Sequence, residues 1–264
     1  MGTSQADVAA LEDLVGKPDD DGLVTVAPTV VPPPTEVTLP LGLWSPVEPL
    51  RDTAVVRELN GYDEEAMAQA KSLGASMQIM LERAVVSIGG QKVAPSDMEE
   101  LCLGDRWELL LGIRRVTWGE EIETVSTCPR CHTTSDLEIL VSDIPRNNVS
   151  DKVTGRRFSI TLSKGEGTFK HIPGDVHRKM LQDKFTSAAD LVTATILGCA
   201  EEIPGTVVIT QETIKAMSLR DRRSVIQGLN KHNIGPDTDS VPVTCETCGE
   251  EYTLALTAGA LFPF

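Results

Sequence analysis

Short alternating runs and helical periods succeed one another along this chain. Thr53–Leu59, "TAVVREL", reads as a strand. "DEEAMAQAKSL" opens with acids that suit a helix N-terminus and reads as one helix from Asp63. "SMQIMLERAVVSI" is apolar at helical spacing, with a late switch to strand before the Gly89–Gly90 turn. Ser96 followed by Glu99 is a capping-box pattern for a short helix. "DRWELLLGIRRVTW" predicts a strong helix, "EEIETVST" a strand leading into Cys128, and "TTSDLEILVSDI" a strand leading out of Cys131. Further on, "RFSITL" predicts a strand. "DVHRKMLQDK" and "SAADLVTATILGCAEEI" predict helices, "TVVIT" a short strand, and Thr210 a cap for "QETIKAM".

The first fifty residues depart from this pattern. They hold eight of the sixteen prolines, and eight acids against one base, Lys17. A short helix over Asp7–Val15 is expected, then an extended arm from Pro28 to Pro49, because proline donates nothing to a ladder. On composition the arm is either a disordered tail or a segment that orders on a partner. Leu41, Leu43 and Trp44 tilt toward partner binding. The apolar end, with Leu261, Phe262 and Phe264, either packs on the core or plugs a neighbouring subunit.

A repeat organises the rest. Asp105–Arg106, Gly112, Gly119, Cys128 and Cys131 recur as Asp221–Arg222, Gly228, Gly235, Cys245 and Cys248. Each copy predicts an acid-started helix, a glycine C-cap, a strand, a Cys-x-x-Cys knuckle and an outgoing strand. The Asp-Arg pairs read as a helix-terminus acid and a local ion pair. The predicted fold class is α+β. Two helix–strand–knuckle half-modules close a split, zinc-ribbon-like site of four cysteines. The divisions are an acidic Pro-rich arm over 1–50, a first half-module over 51–145, a mixed insertion over 146–216 and a second half-module over 217–264.

Two knuckles supply four thiolates, the ligand set of a closed tetrahedral structural Zn2+ site at Cys128, Cys131, Cys245 and Cys248. Haem attachment at Cys128, Cys131 and His132 leaves the second pair unexplained. A redox dithiol belongs at a helix start, whereas these pairs lie between strands. Cys102 and Cys199 read as core thiols, and His171 and His177 as surface histidines. "GRRFSITLSKGEGTFK" lacks phosphate-loop spacing, and no catalytic arrangement stands out.

Composition narrows the function. The chain has 264 residues, 41% hydrophobic but only 4% aromatic, and a net charge of −15. That charge argues against a nucleic-acid partner, which needs clustered Lys and Arg. No run is long enough to span a membrane, and no secretory signal is visible, so cytoplasmic synthesis is expected.

The ordered set "VRELNGYDEEAM", "LERAVVSIGG", "LGDRWELLLGIRRVTWGEEIETVSTCPRC" and "GPDTDSVPVTCETCGEEYTLAL" resembles the T-even-type baseplate hub or hub-assembly-chaperone family. That family occurs in contractile-tailed phages and contractile injection systems. The likeness runs over about Val55–Leu256, and His132 stands where the family often has Gly. It implies a non-enzymatic component of a baseplate, made in the bacterial cytoplasm and assembled into a virion or injection particle. Its partners would be hub, tube or wedge subunits of a symmetric assembly. The alternatives are a chaperone released from the finished particle and a zinc-ribbon nucleic-acid binder.

Overall fold

A computed structural model describes residues 35–181 and 185–263. Among them are nine α-helices with one four-stranded, one three-stranded and three two-stranded sheets, a mixed α+β architecture.

The first sheet is a meander of β1 (Thr35–Ser45), β2 (Glu48–Val56), β3 (Val85–Ile88) and β4 (Gln91–Lys92), all antiparallel. Helices α1 (Gly61–Ala68), α2 (Leu73–Ala84), α3 (Pro95–Glu100) and α4 (Leu103–Trp118) accompany it. Leu39, Met80, Ile88, Leu109 and Ile113 are fully buried in its core. Gly112 is mid-helix because α4 presses on β1: a Cβ there would lie 2.5 Å from Val37 Cγ2.

The second sheet repeats the plan. It pairs β8 (Arg157–Leu162) with β9 (Gly165–Lys170), and β9 with β10 (Ala200–Glu202). Helices α5 (Gly174–Leu181), α6 (Ala188–Cys199), α7 (Gln211–Lys215) and α8 (Leu219–Lys231) follow in matching order. A Cβ on Gly228 would lie 2.6 Å from Ile160 Cδ1, so this glycine does for α8 and β8 what Gly112 does for α4 and β1. Residues 146–216 were expected as an insertion. They hold a hairpin, a helix pair, a third strand and a short helix, in the order seen over residues 35–100. Between the lobes, β7 (Arg146–Asn147) pairs with β11 (Gly235–Pro236).

The Asp-Arg pairs bind each lobe together. Asp105, fully buried, accepts from the N–H groups of Leu41 and Gly42 at 2.8 and 3.0 Å. Asp221 accepts from Ser163 N–H at 2.8 Å and its hydroxyl at 2.6 Å. Arg106 donates to Met98 O, Gln78 Oε1 and His177 Nδ1, while Arg222 donates to Ile214 O, Ala189 O and Thr193 Oγ1. The local ion pairs expected from sequence do not form, because each guanidinium caps helix carbonyls and neutral side-chain acceptors instead. Nor is His177 on the surface. It is buried beneath Arg106, and burial first, then the Arg106 charge, lower its pKa to about 3. His171 is half-buried, with Nε2 2.9 Å from Gly155 O.

Other expectations shift in detail. From Thr35 on, the expected arm is instead a hairpin of the first sheet, β1 with β2, and its earlier part lies outside the described residues. Leu43 joins the first core, and Leu41 packs with Cys102 and Ile234 between the lobes. Trp44 is 38% exposed. The helix expected from Asp63 breaks after Ala68, and Ser72 caps a second helix by accepting from Ala75 N–H. The short helix near Ser96 starts at Pro95, with Asp97 accepting from Ala94 N–H at 2.9 Å. "TVVIT" is no strand: the Pro204–Gly205 turn ejects it and Val207 is fully exposed, while the strand is Ala200–Glu202. Gly119 caps α4 at φ 90°, but α8 ends at Lys231, so Gly235 is no cap. Its φ of 82° serves a contact with Gly104. The helix expected over Asp7–Val15 and the side chain of Phe264 lie outside the described residues.

Candidate metal centre

Two ribbons carry the cysteines. The first is β5 (Glu121–Thr127) with β6 (Thr134–Leu140), in register from Glu121↔Leu140 to Thr127↔Thr134. The second is β12 (Val241–Thr244) with β13 (Glu251–Leu254), from Val241↔Leu254 to Thr244↔Glu251. Alternation sets their faces: Ile122, Ile139 and Val241 point into the first core. The final helix, α9 (Ala258–Leu261), brings Leu261 and Phe262 into the same core, with Phe262 edge-on to Trp118. The ribbons thus share a floor, and Tyr252 Oη donates to Ser126 Oγ at 3.1 Å between them.

Each tip is closed by the same backbone clasp. His132 N–H donates to Cys128 O and Cys128 N–H to Thr133 O. In the second tip Gly249 N–H donates to Cys245 O and Cys245 N–H to Glu250 O. The clasp needs a left-handed residue one place past the second cysteine. Gly249 supplies it at φ 69°, and His132 adopts it at φ 58°, alone among the described non-glycine residues.

The tips face each other. Cys128 Sγ lies 3.7 Å from Cys248 Sγ, and Cys131 Sγ lies 3.7 Å from Cys245 Sγ. All four sulfurs lie within 4.8 Å of one another. A tetrahedral ion with bonds of about 2.3 Å to sulfur requires sulfurs about 3.8 Å apart. The crossed pairing, first cysteine of one tip against second of the other, is that of two knuckles about a pseudo-two-fold axis. Four thiolates at this spacing repel strongly unless a cation sits among them, so the donor set suits a soft-tolerant dication such as Zn2+. Cys128 and Cys245 are buried, while Cys131 and Cys248 are half-exposed. The Thr133 side chain, 3.3 Å from Cys131 Sγ, pulls that thiol down to about 6. Arg130 and Glu250 pair across the two tips at 3.0 Å in an exposed bridge that adds little.

The structure therefore brings together all four cysteines predicted from sequence. It separates them from Cys102 and Cys199, buried thiols that burial pushes up, the latter to about 12. Leu41, Leu43, Leu261 and Phe262, proposed as partner contacts, are buried within the chain itself. Sequence reasoning missed the Tyr252–Ser126 link and the Thr133 contact, whose spacing carries no motif. The left-handed position was half visible, in Gly249 alone.

No helix among the described residues is long and apolar enough to cross a membrane. No curated protein and no solved structure matches the chain. A family model described as "T4 bacteriophage base plate protein" matches residues 47–258, a span that takes in both cysteine pairs, the second lobe and all of the first but β1. On that match the chain belongs to the T4 bacteriophage base plate protein family.

Proposed function

We propose that this protein is a non-enzymatic structural subunit of the hub region of a contractile-tail baseplate, with one structural zinc joining its two ribbons. The observation that carries the reading is the crossed set of four sulfurs, 3.7 Å apart in two pairs, at the junction of the two ribbons. Four protein thiolates fill a tetrahedral ion and leave no position for water or substrate, which suits scaffolding and not hydrolysis. The Asp-Arg pairs are likewise consumed within the fold, the aspartates holding helix to hairpin and the arginines helix to helix. Bound there, the ion neutralises the thiolates and ties the late ribbon to the early one, across more than a hundred residues of chain.

Val207, fully exposed, and Leu219, 85% exposed, favour a subunit retained in the particle over a chaperone that is released, since retained neighbours cover such side chains. Mass spectrometry of complete, purified tails tests this. The protein should be present in a fixed ratio to the other baseplate subunits. Absence from complete tails would give the role to an assembly chaperone. The nucleic-acid reading predicts tight, salt-sensitive DNA binding in an anisotropy titration, which a net charge of −15 opposes.

A further inference from the structure

Among the described residues, two faces of the molecule are unpartnered and complementary. The outer face of the first ribbon carries Glu121, Glu123, Asp136 and Glu138, all exposed, around Val125 at 60% and Leu140 at 36% exposure. Glu123 lies directly opposite Glu138 in the register, a like-charge pair that destabilises a two-stranded ribbon. None of these four carboxylates forms an ion pair among the described residues.

The second lobe is the opposite. Residues 157–234 carry eleven basic against eight acidic residues, a net of +3 in a chain of −15. At its outer end Lys164, Thr206 and Ser218 line one hollow of about 380 Å³. Val207 and Leu219 adjoin that lining in sequence, and exposed Arg220 and Arg223 lie on the same end of α8. Leu219 and Arg223 are four residues apart and share a helix face. Lys164, Arg220 and Arg223 enter no ion pair among the described residues. In chain order, the first lobe follows its third strand with Gln91 and Lys92 of β4, where the second lobe follows β10 with exposed Val207 and Val208. The apolar residues therefore belong to this surface and not to the shared fold.

We propose that these faces meet between two copies of the chain, the basic apolar end of one second lobe docking on the acidic ribbon face of the next. The apolar residues on both sides supply a desolvated centre and the charges a rim that sets orientation. Different patches are used on each partner, so the contact is head-to-tail and builds a ring or a filament. A nucleic acid is a poorer occupant, because the centre of the basic face is aliphatic and carries no aromatic platform.

Sedimentation velocity of the full chain over a concentration series provides the test, with circular dichroism to verify folding. The wild type should self-associate, and raising the salt from about 0.05 to about 0.5 M should weaken association. Glu123→Lys with Glu138→Lys, or Arg220→Glu with Arg223→Glu, should each raise the dissociation constant at least about thirtyfold. A chain carrying all four reversals should regain association, because each face again meets its complement. The proposal fails if the folded wild type stays monomeric up to about 0.1 mM, well above the range of specific interfaces. It fails equally if single-face reversals change nothing, or if the fourfold variant does not recover.

Discussion

The two lobes share a plan but not a burden. In the first, the N-terminal turn of α4 is enclosed: Leu103 N–H donates to Ile172 O at 2.8 Å, and Cys102 bridges to Pro173. A Cβ on Gly104 would lie 2.2 Å from Ile234 O. In the second, the same turn is open, with Leu219 85% exposed and Arg220 where the first lobe has glycine. An arginine there cannot make the close backbone approach that Gly104 makes, so the internal joint is used once and cannot be repeated from lobe to lobe. The first lobe is therefore the anchor. The second lobe, both ribbons and α9 pack on it, and the buried residues of the anchor's core come from 37–144 and again from 241–262.

Substitutions can break or sharpen that contrast. The largest effect should come from the ion that ties the late ribbon to the anchor. Cys128→Ser or Cys245→Ser should remove the metal and cost about 5 kcal/mol or more in denaturant unfolding, whereas Cys199→Ser should leave metal content unchanged. Next is the joint itself. Gly104→Val must push apart backbone that is already in contact and should cost about 3 kcal/mol, against about 0.5 kcal/mol for Arg220→Val.

The Asp-Arg clasps separate the lobes further. Arg106 is 1% exposed, and burial lowers its pKa to about 10, whereas Arg222 is half-buried. Arg106→Met should cost about 3 kcal/mol, because it strands Gln78, His177 and the Met98 carbonyl, and Arg222→Met about 1 kcal/mol. His177 adds a pH signature. Held near a pKa of about 3 when folded, it is neutral in the native state but takes a proton when unfolded near the ordinary value of about 6.5. Its contribution is present above about 6.5 and is lost as pH falls toward about 3, at up to about 1.4 kcal/mol per pH unit. His177→Gln keeps an acceptor for Arg106 Nε and should flatten that part of the stability–pH profile. The knuckles come last: His132→Gly should add up to about 1 kcal/mol, and Gly249→Ala should remove about as much.

Sequence reasoning reached the cysteines because a repeated spacing and four soft ligands constrain the chemistry tightly. It reached the long helices through their apolar period. It did not reach the extent of the duplication. The hairpin Arg157–Lys170 mirrors Thr35–Val56 in its pairing and in the aspartate and glycine of the helix against it, but the two hairpins themselves share no residue pattern. Proline content pointed to an arm where a hairpin stands, because Pro40 lies where β1 departs from regular pairing between Thr38 and Leu43 and needs no ladder hydrogen bond. The valines Val207 and Val208 read as a strand because β-propensity does not reveal whether a partner strand exists. Arg106 read as an ion-pair partner because nothing local shows that three neutral acceptors converge on it.

The most direct test of the account is X-ray absorption at the zinc edge, with elemental analysis, on the purified chain. The account predicts one zinc per chain bound by four sulfurs at about 2.3 Å, falling to none in Cys128→Ser. A metal-free, folded chain, or a first shell containing nitrogen or oxygen, would contradict the crossed four-sulfur centre on which the joining of the two ribbons depends.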